Sequence, residues 1–586
     1  MPPRTSSRIF SFRNLSNPRM LKRTLTYVLH GLVILSMLSP NVMVLAASGT
    51  DSETGNQSES TQVALEDFIP RAATEEDSAE SEYVPPQFEH PEPRQVERGD
   101  TLETLESPLQ ADACQAGGDL VLASGEACSL AAGSHTYDSI LVQDGGTLYM
   151  EGNTTTEEGV SITVDSFTVD SGGLVTADGA GYEGGEGPGT ALEASTGEGA
   201  GGGAHGGQGG DSTTAGGEVY NSSPLGSGGG DRGSASGGTG GGEISLTVDD
   251  TLVVNGTLTA SGENGGEDDG GAGGGAGGTI HIFSIFLSGS GLIQANGGEG
   301  GDSSTNLDGG GGGGGRISIT AMINNYSGSV QAYGGNGAQY GGPGTINWVN
   351  DENLIIDNNG HDGAAAGLVN YYTDFNEIVL SNYGHLTIFG TGSTLDLDTT
   401  EINGDGTAML TVYGTVAGPA ELNLTGGYSL DVLGALTDVM NLEIGGGSTL
   451  ILHAVTPLHS GGTTFNSIAV YEGGTLDLDS YDNGDTDYTN DSGFQLQADS
   501  IYVEENGRIS ADGHGYAGGS GPGTAASNGN DGVGGGSHGG QGGNSTTPGG
   551  EAYDDVYQPR MLGRGGGNTS RVSGGAGGGA IHLVTY

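Results

Sequence analysis

Basic residues are scarce in this chain: 15 Lys and Arg stand against 73 Asp and Glu in 586 residues, a formal charge of 15 − 73 = −58. Six of the fifteen (Arg4, Arg8, Arg13, Arg19, Lys22 and Arg23) precede the first acid, Asp51, so the remainder carries 9 − 73 = −64. Without clusters of Lys and Arg nothing displaces the counterions of a polyanion, which excludes nucleic acid and anionic membrane as partners. Tryptophan occurs once, cysteine twice, and only 33% of the chain is hydrophobic, so one large compact core is excluded. Proline numbers 18 and no strict Gly-X-Y period exists, so the 121 glycines do not make a collagen. The same glycines, with abundant Ser, Thr, Asn and Asp, exclude coiled coils and helical bundles.

What is present begins as an export signal. The six positive charges lead into the apolar run Tyr27–Leu38, then Pro40, then Val44-Leu45-Ala46-Ala47, where cleavage is expected after Ala46 or Ala47. An uncleaved anchor is the weaker alternative, because the run is short of the ~20 residues needed to span and His30, Pro40 and Asn41 interrupt it. Residues 1–47 are therefore read as a signal peptide. Residues 48–112 are rich in Glu, Ser, Thr and Pro without lasting period and read as a disordered acidic linker. Their Arg98-Gly99-Asp100 triplet is short enough to be a chance match. Cys114 and Cys128, alone in an exported chain, are expected to form a disulfide closing one loop, since a metal site needs more ligands.

From Cys114 onward the chain repeats itself. The heptads GLVTADG (173–179), GTLTASG (256–262), GLIQANG (291–297), GSVQAYG (328–334) and GRISADG (507–513) share a central alanine. Glycine blocks running into short strands place Ile244, Ile280, Ile317 and Ile346 at spacings of 36, 37 and 29 residues. Periods of this size predict a solenoid, and the alternation in Ile162-Thr-Val164 or Ile317-Ser-Ile319 predicts that its walls are β-strands, stacked in parallel. The expected fold is all-β: a right-handed parallel β-helix with Gly-rich loop insertions over 113–350, undecorated coils over 351–500, and the start of a second Gly-rich module over 501–586. The last part rests on long repeats: DGAGYEGGEGPGTA (178–191) returns as DGHGYAGGSGPGTA (512–525), and GGGAHGGQGGDSTT (201–214) as GGGSHGGQGGNSTT (534–547). The second module stops partway, so the sequence is expected to be a fragment of a longer one. Over about four-fifths of its length the pattern resembles exported bacterial β-helix proteins of the adhesin-like and pectin-lyase-like type with glycine-rich loops. No lyase or hydrolase signature accompanies the resemblance, which implies fold, and function only by analogy.

Candidate chemistry is sparse. GGQGGDSTT (206–214), GGEGGDSST (297–305) and GGQGGNSTT (539–547) approach a Ca²⁺-binding nonapeptide, but all put Ser or Thr where an apolar residue belongs, and an ordinary glycine turn is the better reading. A further alternative is that GGxGG stretches stack as extended polyglycine helices carrying binding tips. The run 477–491 holds six carboxylates in fifteen residues, and Asp482, Asp485, Asp487 and Asp491 are its candidate Ca²⁺ ligands, against the reading of a solvated acidic loop. No other cofactor is expected. His205 and His538 occupy matching positions of the two modules and read as hydrogen-bonding spacers rather than zinc ligands.

Two classes of function remain. The first is a secreted or cell-surface structural or adhesive protein without catalysis, its partner a glycan or other surface ligand. The second is a polysaccharide-active, glycoside hydrolase-like enzyme using carboxylate pairs such as Asp396/Asp398 or Asp477/Asp479, each expected on one strand face at period two.

Overall fold

A computed structural model describes residue 114 and residues 117–586, apart from 196, 268–270, 304–306, 370–374, 455–463, 483–487, 489–490, 523–532, 556, 558–559 and 571. The expected signal peptide and linker, with the Arg98-Gly99-Asp100 triplet, lie outside the described residues. Among the described residues the chain is all-β, with 31 strands and no helix, and the named strands pair in parallel with one exception.

From Gly133 to Gln331 each coil contributes one long strand and one short strand. Gly133–Val142, Val160–Val169, Glu243–Val254, Thr279–Gly289 and Arg316–Tyr326 lie side by side in a ten-stranded sheet, while Thr147–Met150, Leu174–Thr176, Thr257–Thr259, Leu292–Gln294 and Ser329–Gln331 stack in a six-stranded one. Ile244, Ile280, Ile317 and Ile346 form one in-register column, so their sequence spacing is the length of a coil. All four are buried, as alternate residues facing a narrow interior must be. The alternation in Glu243–Val254 fails at Asp249 and Asp250, both exposed, where a register shift lets the strand bend without burying a carboxylate. Ala260, Ala295 and Ala332 follow the short strands and are buried at the corners where glycine insertions leave the coil.

The exception to parallel pairing reorganises the molecule. Thr345–Trp348 and Asn353–Asp357 form an antiparallel pair in which Ile346 faces Ile355 and Asn347 faces Leu354. Ile346, Trp348 and Ile355 pack into the core that begins at Leu122, whereas Leu354 and Ile356 open a second core that runs to Ala498. The chain thus reverses direction and also exchanges the face it buries. Beyond this point Leu386, Leu410, Leu430, Leu450 and Leu476 form a column with steps of 24, 20, 20 and 26 residues.

The glycine runs are not ordinary turns. In the run 271–278 (with Ala272 and Ala276), Gly271, Gly274 and Gly277 donate their N–H groups to the carbonyls of Leu307, Gly310 and Gly313; Ala272, Gly275 and Gly278 donate to Gly266, Glu263 and Ala260; Gly273 and Ala276 donate to Gly230 and Ser227. Every third residue returns to the same neighbour, the signature of an extended helix with three residues per turn. Each run is bonded to several others, so a buried, irregular-looking backbone has its donors satisfied. A methyl added at Gly273, Gly274 or Gly275 would meet a carbonyl oxygen at 1.8, 2.1 or 2.2 Å. None of these glycines has a positive φ. They serve by lacking a side chain, not by conformational freedom. The loop 206–214 belongs to the same lattice through Gly207 to Gly314 and Gly210 to Gly311, which corrects the turn reading in favour of stacked extended helices.

Candidate functional site

Cys114 and Cys128 are bonded, with Cα atoms 5.4 Å apart. In two of the nonapeptide-like loops the acidic position is already used: Asp211 Oδ1 accepts the Gly216 N–H at 2.8 Å, and Asn544 Oδ1 accepts the matching Gly549 N–H at 2.8 Å. Asp and Asn interchange there because the bond needs only a side-chain carbonyl-type oxygen. Of the candidate Ca²⁺ ligands, Asp482 is exposed, Asp491 is buried close to the Tyr516 phenol, and Asp485 and Asp487 lie outside the described residues.

The carboxylate pairs fare differently from one another. The strand Thr394–Asp396 ends at Asp396, whose Oδ1 accepts the Asp398 N–H at 2.9 Å, so the two do not share a strand face: a local turn outcompetes the ladder. Asp398 instead borders an open groove of about 470 Å³ with Glu401 and Glu421. Asp477 and Asp479 do share the outer face of Thr475–Asp479, but histidines from neighbouring coils engage them. His453 Nδ1 lies 2.8 Å from Asp479 and its Nε2 2.7 Å from Asp431; His514 lies 3.1 Å from Asp477 and 2.9 Å from Asp479. With acceptors at both ring nitrogens, His453 must carry a proton on each. Burial opposes that charge, yet the carboxylates of Asp431 and Asp479 raise its pKa to about 9. His453 and His514 had no signal in the sequence, because the in-register stacking that aligns them with acids 22 to 37 residues away belongs to the coils.

The position singled out by the repeats, His205, is fully buried. Its Nδ1 meets the Gly277 carbonyl at 2.9 Å, and its ring lies 5.2 Å from that of Tyr220. Nε2 is buried with no hydrogen-bond partner, the Ser223 and Gly278 carbonyls being near enough to favour the charged ring without meeting it in bonding geometry. Burial, with the charge of Arg316 adding to it, nevertheless holds the ring's pKa down to about 3, so it is neutral. Arg316 Nη2 donates to the His205 carbonyl at 2.9 Å, and among the described residues this guanidinium has no ion-pair partner. His205, Asn221, Ser222, Ser223, Pro224, Thr279 and Arg316 line a cavity of about 310 Å³.

No family model, curated protein or solved structure matches this chain.

The molecule supplies its own comparison. Offsets of 333 and then 337 residues carry His205 to His538, Tyr220 to Tyr553, Asn221 to Asp554, Leu225 to Leu562 and Ser227 to Arg564. The geometry repeats: Tyr220 donates to the Leu225 carbonyl and Tyr553 to that of Leu562, and the His538 and Tyr553 rings are again 5.2 Å apart. At the position of Asn221, however, the second module has a carboxylate. Asp554 lies 3.1 Å from His538 Nε2 and accepts the backbone N–H groups of Arg560 and Met561 at 2.9 and 3.0 Å.

Proposed function

We propose that the chain is an exported structural or adhesive protein of the cell surface or extracellular space, without catalytic activity. Its coils are those of a right-handed parallel β-helix, in keeping with the resemblance to adhesin-like and pectin-lyase-like proteins, and its partner is a glycan or another surface ligand. The observation that carries this reading is the glycine lattice. Much of the chain between Ala177 and Gly344 forms a close-packed body of glycine runs bonded backbone to backbone, a scaffold rather than a groove of facing carboxylates. The disulfide supports an oxidising compartment, and a charge of −64 beyond residue 23 favours solubility over polyanion binding. The enzyme reading is the weaker one, because Asp396 and Asp398 are not a facing pair and Asp477 and Asp479 are hydrogen-bonded to imidazoles.

Expressed with its own first 47 residues in a bacterial host, the chain should reach the medium or the surface, be shaved from intact cells by added protease, and contain no alkylatable thiol. A cytoplasmic product with two free thiols overturns the proposal. Incubation with neutral and uronic-acid polysaccharides should release nothing; product formation that disappears in Asp477→Asn with Asp479→Asn promotes the enzyme reading instead.

A further inference from the structure

Arg316 stands out by charge. It is one of only nine Lys and Arg residues beyond position 23, it is mostly withdrawn from water at the start of the strand Arg316–Tyr326, and its Nη2 donates to a backbone carbonyl, that of His205. A buried guanidinium without a counter-ion is costly, and in a chain this rich in acids a carboxylate partner would have been easy to supply. The second module has a carboxylate where the first has Asn221: Asp554, which is taken up by His538 and by the N–H groups of Arg560 and Met561. The first module keeps the histidine and the tyrosine, leaves out the carboxylate, and has Arg316 in the wall of a cavity there.

We infer that the cavity bounded by Arg316, Asn221, Ser222 and Thr279 is a binding site for one external carboxylate, carried by an acidic sugar of the uronic-acid class. The planar fork of the guanidinium matches a carboxylate with two parallel hydrogen bonds, which an ammonium could not offer. Around it stand groups suited to sugar hydroxyls rather than to a second charge. The Asn221 amide is held only loosely, at 3.4 Å from the Val369 carbonyl, and Thr279 donates to the Pro224 carbonyl at 2.7 Å, which leaves its oxygen able to accept. The neutral His205 ring, packed 5.2 Å from that of Tyr220, lines it without adding charge. At about 310 Å³ the cavity is at the lower end of small-ligand sites, the size of a single sugar. The net charge of the chain disfavours a dense polyanion, so the site takes an isolated acidic residue in an otherwise neutral glycan. The assignment deepens the adhesive reading and rests on it only for where the sugar comes from.

The test is titration calorimetry on the purified full chain with D-galacturonate, in parallel with D-galactose, acetate and sulfate at physiological salt. Galacturonate should bind at one site with an affinity of about millimolar, and galactose not measurably. Arg316→Lys should weaken binding at least about tenfold, because it keeps the charge and loses the fork. Asn221→Asp should abolish binding while raising the melting temperature, because it installs the carboxylate that the second module already has. This variant separates loss of the site from loss of the fold. Absence of galacturonate binding, or unchanged binding in Asn221→Asp, overturns the site. Acetate binding as tightly as galacturonate overturns the sugar, and sulfate doing so overturns the carboxylate. None of these results bears on export or surface exposure, which the protease-shaving experiment reads separately.

Discussion

Two regions of this protein are held together by opposite means. In the bare coils between Leu354 and Ala498, cohesion comes from columns of Leu, Ile and Val whose side chains fill the interior. In the glycine insertions of the first half there are few side chains to bury, and cohesion comes mainly from backbone hydrogen bonds repeated every third residue between runs that touch carbonyl to Cα. The contrast shows what a side chain costs as well as what it contributes. Removing one damages the first region, and adding one damages the second.

That contrast is open to direct attack. Gly274→Val should be the most damaging single change, since even its first methyl falls 2.1 Å from the Gly298 carbonyl oxygen in a backbone that cannot move without breaking several bonds. A loss above about 4 kcal/mol is expected, with hydrogen exchange released throughout the lattice; tolerance of valine would show that the runs are not close-packed. Leu450→Ala, in the middle of the leucine column and fully buried, should cost about 2–5 kcal/mol in denaturant unfolding. The same experiment at Ala276 of the lattice, as Ala276→Gly, should cost less than about 1 kcal/mol, because little side-chain volume is lost there.

Opening the Cys114–Cys128 bond by Cys128→Ser should cost about 3 kcal/mol by loop entropy, for a sequence separation of 14. The effect should stay in the first coil, visible as proteolysis near Leu122 with the rest intact. The histidine ladder gives a pH signature confined to the bare coils. His453 has its pKa raised from 6.5 to about 9 in the folded chain, so its contribution is fully present below about pH 6.5 and is lost as pH rises through about 9. The lost stability should be about 1–3 kcal/mol, and His453→Ala should flatten the profile between those limits. The smallest effect concerns net charge: about 0.5 M NaCl should raise the melting temperature by a few degrees at most, since exposed acids are individually solvated.

Much of this was legible beforehand. The isoleucine spacing located the coils because a strand that buries alternate residues must meet its neighbour in register, and the alanine heptads marked corners because only a small residue fits there. The disulfide followed from having two cysteines and a sequence that reads as an export signal. The histidine ladder was not legible, since His453 and His514 meet Asp431, Asp477 and Asp479 only through the lengths of the intervening coils. Nor was the reversal between Trp348 and Asn353, because a short hairpin within a parallel stack leaves no period of its own. The turn reading of 206–214 failed for a related reason. Glycine is compatible with both a turn and an extended run, and only the neighbouring runs decide between them.

The sequence by itself therefore determined the local alphabet: which stretches alternate and bury a face, which carry no side chains, and how many residues separate one coil from the next. Those properties are local, set by side-chain volume, polarity and period. The tertiary structure alone decided which distant residues meet. Arg316 reaches the His205 carbonyl across 111 residues, and His205 the Gly277 carbonyl across 72, because two glycine runs happen to be lattice neighbours. No local pattern encodes that adjacency, since a backbone without side chains bonds equally well to any other of its kind, and the choice among them is made by the packing of the whole set.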